Sequence, residues 1–249
     1  MLMSSVIGHR GARALVAENT LASIRRVAEL GGRWVELDVQ LSRDGVPFLF
    51  HDDQLAPLTG QTGRVGDYDA HQLEQMQVIH GAQPAQPLAS LAQALNLCIE
   101  LGLGLNLELK SDGVQQGAKT LEVCWPMMRD RPELALVVSS FDPEALVLAR
   151  RLCPAVPRSC LFEALPKNWR EQVDQVAARA IHLDAESLQA EQVAQIKQLG
   201  LEVYCYTVNS LERGLELRKW GVQGIFTDAP QLFLDAPEWR SLRLQAFGG

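Results

Sequence analysis

The stretch VELDVQL, residues 35–41, alternates hydrophobic and polar side chains along its whole length. In an extended strand this period of two puts the hydrophobic residues on one face and Glu36, Asp38 and Gln40 on the other. Buried parallel strands normally read as nearly continuous apolar runs, so this pattern needs a reason. In a closed barrel the hydrophobic face packs against the surrounding helices and the polar face turns toward the barrel axis. The stretch therefore predicts a barrel strand with acidic side chains inside.

Outward from this stretch, short apolar strands alternate with amphipathic helices along the chain. The strands are predicted at Val6–His9, Trp34–Leu41 with a continuation at Val46–His51, Leu103–Lys110, Leu134–Ser140, Arg158–Phe162, Ala180–Asp184, Glu202–Val208 and Gly224–Asp228. The helices are predicted at 20–31, 89–101, 114–128, 143–151, 168–178, 189–199, 210–220 and 230–235. This order favours a (β/α)8 TIM barrel formed by residues 1–249 as one domain. An open doubly wound sheet would need a glycine-rich nucleotide turn, and GHRGAR, residues 8–13, lacks that spacing.

One segment interrupts the alternation, between the second strand and the second helix. Residues 52–87 are too long for a βα loop and are rich in Gly, Gln, Asp and Pro. A structureless loop of that length is unusual inside a compact domain. The segment is therefore interpreted as a small inserted subdomain with a helical turn near 70–77, over the barrel mouth.

The polar face of the second strand has a counterpart on the third. LNLELK, residues 105–110, puts Asn106 and Glu108 on its inward face. Glu36, Asp38 and Glu108 should then converge, and three crowded carboxylates need a cation or a shared proton. An all-oxygen ligand set suits Mg²⁺, Ca²⁺ or Mn²⁺. The alternative is that the acids hold no metal and pair with basic residues, the candidates being Lys110, Arg10 and Arg43.

Two histidines are predicted at the carboxyl-terminal mouth, where barrel enzymes keep their chemistry. His9 ends the first strand, and His51 ends the continuation of the second. Two histidines beside a carboxylate cluster suit acid–base cleavage, one taking a proton and the other giving one. Arg10 supplies a forked donor suited to a phosphate, and Lys110 adds a point charge. The remaining histidines are interpreted as surface or core residues: His71, His80 and His182.

Other polar residues also stand at strand ends: Ser140, Glu163, Asp184, Thr207, Asn209 and Asp228. Most are typical of turns and helix caps, Asp184 and Asp228 above all. Glu18 and Asn19, directly before Thr20, have two interpretations that stay open. They either form the entry to the first helix or belong to the site.

Composition limits the kind of partner. The chain has 249 residues, of which 47% are hydrophobic and 21% charged, as in ordinary globular proteins. With 23 basic and 30 acidic residues, a net charge of -7 and no basic cluster, it is not expected to bind nucleic acid. The five cysteines form no C-x-x-C pair and favour a reducing, cytoplasmic location. No secretory leader and no membrane-spanning run are evident, so no stable membrane association is expected.

Six motifs carry a resemblance to a known family. GHRGARALVAENT, VELDVQLSRDGVPFLFHD, LNLELK, VSSF, YTVN and GIFTDAP occur in this order between residue 6 and about residue 230. In order and spacing the chain resembles the cytoplasmic bacterial glycerophosphodiester phosphodiesterases. The resemblance implies a TIM barrel with an inserted subdomain. It also implies hydrolysis of small-molecule glycerophosphodiesters to glycerol 3-phosphate and an alcohol such as choline or ethanolamine, a step of lipid and glycerol metabolism.

The resemblance also implies roles for single residues. By position, the chain matches the family's catalytic histidines (His9, His51), metal ligands (Glu36, Asp38, Glu108) and basic motif residues (Arg10, Lys110). Tyr206 stands where the family usually has Trp, before TVN, and is expected to form part of the wall for the glycerol or the leaving group. After the HD motif the family usually carries a basic residue and paired threonines, and QLAPLTGQTG, residues 54–63, replaces several of them. Which histidine is the acid and which the base is left open.

Three alternatives stay open from the sequence. A related lysophospholipase D or phospholipase C-like phosphodiesterase would favour apolar mouth loops, and the insertion has only scattered apolar residues: Leu55, Leu58, Val78 and Ile79. A noncatalytic barrel that binds a phosphorylated metabolite should lack a catalytic histidine or an acidic ligand, and none is missing. A metal-dependent aldolase has no evident use for two acid–base histidines. The native metal, the preferred alcohol and the oligomeric state are not predicted.

Overall fold

Within residues 1–111 and 117–245, the part of the chain that the computed structural model describes, eight parallel strands close into a barrel. The strands are β1 (Val6–Gly8), β2 (Trp34–Leu41), β3 (Pro47–Leu49), β4 (Gln77–Val78), β5 (Gln86–Pro87), β6 (Gly104–Leu109), β7 (Leu136–Ser140), β8 (Arg158–Phe162), β9 (Ala180–Asp184), β10 (Glu202–Tyr206) and β11 (Gly224–Thr227). The main sheet has the order β1-β11-β10-β9-β8-β7-β6-β2-β3, and Gly8 pairs with Val35 to join β1 to β2. The predicted TIM barrel is confirmed.

Helices connect the barrel strands and surround them. They are α1 (Leu21–Glu29), α2 (Ala56–Thr59), α3 (Ala70–Leu73), α4 (Leu91–Leu101), α5 (Gly117–Arg129), α6 (Pro143–Leu152), α7 (Trp169–Val176), α8 (Ala190–Gln198), α9 (Leu211–Trp220), α10 (Gln231–Leu234) and α11 (Pro237–Gln245). Ser90 and Ser210 start α4 and α9 by accepting a first-turn backbone N–H, as N-caps do. Residues 114–116 of the predicted helix 114–128 lie outside the described residues, and α5 is its described part. The sequence did not predict α11.

The hydrophobic face of β2 packs outward, as its alternation predicts. Val35, Leu37 and Val39 are fully buried in the cluster between the barrel and its helices. Burying each side chain of this size contributes about 1.5–3 kcal/mol, so this layer fixes which face of β2 turns inward. At the amino-terminal end of the strands, Ile7, Tyr204 and other side chains fill the barrel interior. The acidic residues Asp38 and Glu108 lie beyond this layer, toward the carboxyl-terminal end of their strands.

Val46–His51 does not continue the second strand, so that prediction is wrong. The segment forms β3, which returns antiparallel to β2 with Leu49 opposite Val39. Gly45 permits the reversal, because it has a φ of 82° and its N–H donates to the Ser42 carbonyl at 3.0 Å. The return brings the chain back to Asp38, whose carbonyl accepts from the Phe50 N–H at 3.1 Å. His51 therefore reaches the carboxylates on a returning segment.

The chain between β3 and α4 forms the predicted insertion. It contains α2, a 3-10 turn at Val65–Asp67, α3 and the short hairpin of β4 and β5. The helical turn predicted near 70–77 is α3. Leu55, Val65 and Leu73 are buried in a separate hydrophobic cluster that also includes Phe48 and Phe50. The insertion is thus packed onto β3 and the residues that lead to His51.

The structure also bears on the predictions made from the cysteines and from the lack of a membrane-spanning run. All five cysteines are buried and free. Burial raises the pKa of the Cys98 and Cys124 thiols to about 12, which keeps them protonated and unreactive. In the described part of the chain, no helix is both long enough and apolar enough to cross a bilayer. The cytoplasmic location stays a prediction.

Candidate active site

Three carboxyl groups converge inside the barrel. Glu36 lies opposite Asn106, and Asp38 lies opposite Glu108, in the β2–β6 register. Glu36, Asp38 and Glu108 each offer an oxygen within 4.8 Å of those of the other two. Their exposed fractions are only 4%, 1% and 9%, so little solvent screens them from one another. The period-two pattern of two neighbouring strands therefore predicted this cluster correctly.

The three carboxyl groups differ in the pKa that their surroundings impose. Burial raises the pKa of Glu36 well above its ordinary value, and the charges of Asp38 and Glu108 add to the effect. Burial and the charge of Asp38 raise the pKa of Glu108 in the same direction. Burial also opposes the ionisation of Asp38, but His51, Lys110 and nearby donors outweigh it and lower the pKa to about 2. Ionisation of Glu36 and Glu108 is therefore disfavoured relative to that of Asp38.

The cluster fits a hard divalent cation. Glu36 Oε2 accepts from the Arg10 backbone N–H at 2.9 Å, whereas the buried Oε1 has no partner among the described residues. A buried oxygen without a donor is costly, and a cation would relieve that cost together with the mutual repulsion of the acids. Three carboxylates without sulfur or imidazole ligands suit Mg²⁺, Ca²⁺ or Mn²⁺ better than zinc.

Two basic side chains stand beside the carboxylates. The Arg10 side chain is 10% exposed, and its guanidinium lies 2.7 Å from Glu18 Oε1 and 3.5 Å from Asp38 Oδ2. Lys110 Nζ lies 3.0 Å from Glu108 Oε1 and 3.8 Å from Asp38 Oδ1. Each base therefore pairs with an acid of the cluster, as the metal-free alternative predicted, and both also face the cavity. A phosphate beside the carboxylates would meet both charges. Arg43, the third candidate of the metal-free alternative, pairs instead with Asp69 in the insertion.

The first βα turn holds Arg10 in an unusual backbone conformation. Arg10 has a φ of 52°, and Gly11 follows with a φ of 86°. At Gly11 a side chain is excluded, because a Cβ would stand 2.3 Å from Ser23 Oγ. The Arg10 carbonyl accepts from the Asn19 N–H at 2.9 Å and from Ser23 Oγ at 3.1 Å. The turn is thus tied to the start of α1.

His9 is paired with Asp228, which the sequence interpretation took for a cap only. His9 Nδ1 lies 2.7 Å from Asp228 Oδ1, and Asn209 Nδ2 donates to Oδ2 of the same carboxylate at 2.8 Å. Burial opposes the charge on Asp228, yet His9, Asn209 and Arg13 lower its pKa to about 2. Burial lowers the pKa of His9 despite this partner. The cap interpretation of Asp228 is therefore wrong, because this carboxylate orients the His9 ring.

His51 has an aspartate partner as well, but a more open position. His51 Nδ1 lies 2.8 Å from Asp52 Oδ1, and the two side chains are 31% and 36% exposed. The His9 side chain is 13% exposed. Gln40 Nε2 donates to the carbonyls of residues 50, 51 and 52 at 3.0–3.2 Å. The third inward polar residue of β2 thus fixes the segment that carries His51.

Glu18 and Asn19 have both of the roles that the sequence left open. Thr20 is the N-cap of α1, so the two residues directly precede the helix. Glu18 accepts from Arg10 at 2.7 Å and also pairs with Arg13. Asn19, with a φ of 54°, donates from Nδ2 to Asp38 Oδ2 at 3.0 Å. They position one basic residue and one metal-ligand candidate.

A cavity of about 640 Å³ joins these residues to a wall on the far side of the barrel. The wall comes from the carboxyl ends of β7 to β10: Phe141, Leu161, Glu163, Asp184, Tyr206 and Thr207. The Tyr206 hydroxyl donates to the Phe162 carbonyl at 2.9 Å, which fixes its ring. His182 is buried beside the rings of Tyr204 and Phe226. Its interpretation as a core residue agrees with a pKa lowered to about 3 by burial, although it also lines the cavity floor.

The fold places the protein among the TIM barrels that carry a polar cavity at the carboxyl-terminal mouth, and sequence and structure comparisons identify its family. Residues 9–232 match the model of the glycerophosphoryl diester phosphodiesterase family. The chain belongs to this family and is an enzyme of the glycerophosphodiester phosphodiesterase class.

Named relatives cover nearly all of the chain. A glycerophosphodiester phosphodiesterase of Caldanaerobacter subterraneus is 27% identical over 234 residues, which are 92% of this chain and 96% of that protein. One from Bacillus subtilis is 26% identical over 246 residues, which are 91% of this chain and 84% of that protein. Among solved structures, an Oleispira antarctica phosphodiesterase in complex with the product sn-glycerol 3-phosphate has a TM-score of 0.87 and 31% identity, covering 97% of each chain.

Proposed function

We propose that the protein is a metal-dependent hydrolase that converts glycerophosphodiesters to sn-glycerol 3-phosphate and an alcohol. The observation that carries the proposal is one cavity lined by two carboxyl groups of the oxygen-ligand cluster, two basic side chains and two aspartate-paired histidines. The product bound by the Oleispira antarctica relative supports glycerol 3-phosphate as the part that the site retains. A noncatalytic barrel would have no use for both histidines.

Glu36, Asp38 and Glu108 would hold the divalent cation. When bound, the ion supplies positive charge that polarises the phosphoryl group and stabilises the transition state. Arg10 would bind another phosphate oxygen with its guanidinium, which the Glu18 contact already orients. Lys110 would add charge from the β6 side. These groups are fixed before substrate arrives, so little reorganisation is needed during reaction.

We infer that His9 is the general base and His51 the general acid. Asp228 accepts from Nδ1 of His9, so Nε2 remains to take a proton from the nucleophile. The leaving alcohol must depart toward solvent, and His51 is the more exposed of the two rings. It would donate a proton to the departing oxygen, with Asp52 stabilising its charged form. Asp228 and Asp52 act as positioning residues in this scheme.

The test is hydrolysis of glycerophosphocholine by purified protein after chelation and readdition of single metals. We expect sn-glycerol 3-phosphate to form with Mg²⁺, Mn²⁺ or Ca²⁺ and not in the chelated protein. Asp38→Asn should lose metal binding in calorimetry as well as activity, whereas Glu122→Gln, on an exposed face of α5, should match the wild type. Absence of product with every metal would refute the proposed function, and full activity without metal would refute the role of the carboxylates.

A further inference from the structure

The cavity has two chemically different sides. The side formed by β1, β2 and β6 carries the basic residues, Arg10 and Lys110. On the opposite side the described lining residues include no lysine or arginine. They include two aromatic rings and two acids, Phe141, Tyr206, Glu163 and Asp184, which we term the aromatic–acidic wall. A phosphodiester bound at the basic side must direct one of its two alcohols toward this wall.

The rings of the wall meet as a corner. The centroids of Phe141 and Tyr206 are 6.2 Å apart, and their planes are 81° apart. Phe141 is 47% exposed, an unusual state for a phenyl ring, and it borders the cavity. Tyr206 is fixed by its bond to the Phe162 carbonyl, and burial together with nearby carboxylates raises its pKa, so it stays neutral. Ring faces beside a cavity attract cations, above all weakly hydrated ammonium groups.

The acids of the wall lack cationic partners. Asp184 accepts the N–H groups of Glu186 and Ser187 through Oδ1 alone, at 2.9 and 3.0 Å. Among the described residues, neither Asp184 nor Glu163 forms an ion pair. Glu163 borders the cavity one residue beyond the end of β8. The wall therefore presents two uncompensated negative charges beside two rings.

We propose that the aromatic–acidic wall selects leaving alcohols that carry a positive charge, with Glu163 and Asp184 as the specificity-determining residues. This inference rests on the proposed function, because it assigns the leaving group of the same reaction. An ammonium group contacts the ring corner while the two carboxylates neutralise its charge. A neutral polyol gains only hydrogen bonds there, and an anionic alcohol is repelled. The proposal thus divides glycerophosphodiesters by the charge of the alcohol.

The experiment measures kcat/KM on glycerophosphocholine and on glycerophosphoglycerol, whose leaving alcohol is neutral. The variants are Glu163→Gln, Asp184→Asn and their double mutant, since the amide of Asn retains an acceptor for the two N–H groups. Glu186→Gln is the matched control, an exposed acid two residues after Asp184 that does not line the cavity. Thermal melts verify that each variant is folded.

We expect the wild type to prefer the choline substrate. Each single variant should lower kcat/KM on that substrate by roughly two- to fivefold, the usual range for a partly exposed charge contact. The same variants should change hydrolysis of the neutral substrate by less than about twofold, and the control should change neither. Phe141→Leu should lower the choline activity by a similar factor. Raising NaCl from about 0.05 M to 0.5 M should reduce the preference, because salt screens exposed charges.

The outcomes separate this inference from the proposed function. Equal losses on both substrates would mean that the acids bind the shared glycerol part, and would overturn the inference. A wild type that hydrolyses both substrates equally well would overturn it too, while leaving the phosphodiesterase activity intact. Hydrolysis of neither substrate would refute the proposed function itself.

Discussion

Replacement of Asp228 by Asn is the sharpest test of how His9 is oriented. In the protein His9 Nδ1 and Asp228 Oδ1 are 2.7 Å apart, and Asn209 donates to the other carboxylate oxygen at 2.8 Å. In the variant the amide oxygen would keep the contact to Asn209, so the amide nitrogen would face His9. An N–H donor at that position favours the tautomer with its proton on Nε2, which cannot accept one from a nucleophile.

The expected loss in kcat lies between about 10²- and 10⁴-fold. The lower value is the usual worth of one general base, and the upper value applies when a buried aspartate sets both the tautomer and the imidazolium charge. Asp228 has a pKa of about 2, so it is fully ionised at the pH of the assay. We therefore expect a loss in kcat nearer the upper end of this range. Metal affinity should be unchanged, because Asp228 belongs to no pair with the carboxylate cluster.

The substitution should also change stability in a pH-dependent way. The folded pKa of about 2 lies below the ordinary value of 3.8, so ionised Asp228 stabilises the fold above that value. With a side chain 18% exposed, the contribution is about 1–2 kcal/mol after allowance for solvent screening. Urea titrations should therefore show Asp228→Asn less stable at pH 7, with the difference vanishing as the pH falls from about 4 to 2.

Stopped assays of glycerol 3-phosphate, calorimetric metal titration and thermal melts provide the readouts, with Asp235→Asn as control. Asp235 is an exposed aspartate, 74% exposed at its side chain, that follows α10 and lies outside the cavity. If Asp228→Asn keeps kcat within about threefold of the wild type while folded, the orientation of His9 by Asp228 is not needed for catalysis. The role of His9 as base would then lose its structural support.

Three further predictions concern the two histidines, the carboxylate cluster and the turn at Gly11. His9→Ala and His51→Ala should each lower kcat on glycerophosphocholine by at least about 10²-fold. A nitrophenyl ester has a leaving group that needs no proton, so it should restore activity to His51→Ala alone. Rescue of neither variant, or of both, would contradict the assignment of base and acid. Glu36→Gln should melt at a higher temperature than the wild type when both are metal-free at pH 7, because it removes a buried carboxylate with a raised pKa. The gain in melting temperature should shrink as the pH falls and Glu36 is protonated. An equal or lower melting temperature would contradict the destabilisation of the metal-free fold by the Glu36 carboxylate. Gly11→Ala should destabilise the protein by more than about 1 kcal/mol in urea titration, since a Cβ there meets Ser23.

The carboxylate cluster could be predicted because its information is local. Two stretches with a period of two and their order in a barrel suffice to bring Glu36, Asp38 and Glu108 together. The pairing of His9 with Asp228 needs the closure of the ring, because the two residues are 219 positions apart. Gly8 pairs with Thr227 in the sheet, which brings His9 and Asp228 next to each other. The alternation of residues along the chain does not predict which residues of two distant strands are paired. Asp228 therefore read as a cap.

The returning strand was missed for a different reason. Asp44–Gly45 is a turn signal between two hydrophobic segments, and it was present in the sequence. The interpretation of Val46–His51 as a continuation of the second strand placed His51 correctly at the barrel mouth, but it gave the segment the wrong direction. The hydrogen bonds from Gln40 to the carbonyls of residues 50, 51 and 52 exist only because β3 runs back along β2. Neither the alternation of the strand nor the capping residues indicate such bonds. They follow from tertiary geometry and not from residue type.

Under the proposed mechanism, the contact between His9 and Asp228 makes activity a measure of whether the ring is closed. One partner stands at the end of β1 and the other at the end of β11, on opposite sides of a single seam between strands. During synthesis the seam cannot form until β11 has left the ribosome, so no chain that lacks β11 can hold the contact between His9 and Asp228. Opening of the seam in the folded enzyme would separate the same two residues and should lower turnover as Asp228→Asn does. Recovery of activity after denaturation therefore requires the joining of β1 to β11, in whatever order the other strands pair.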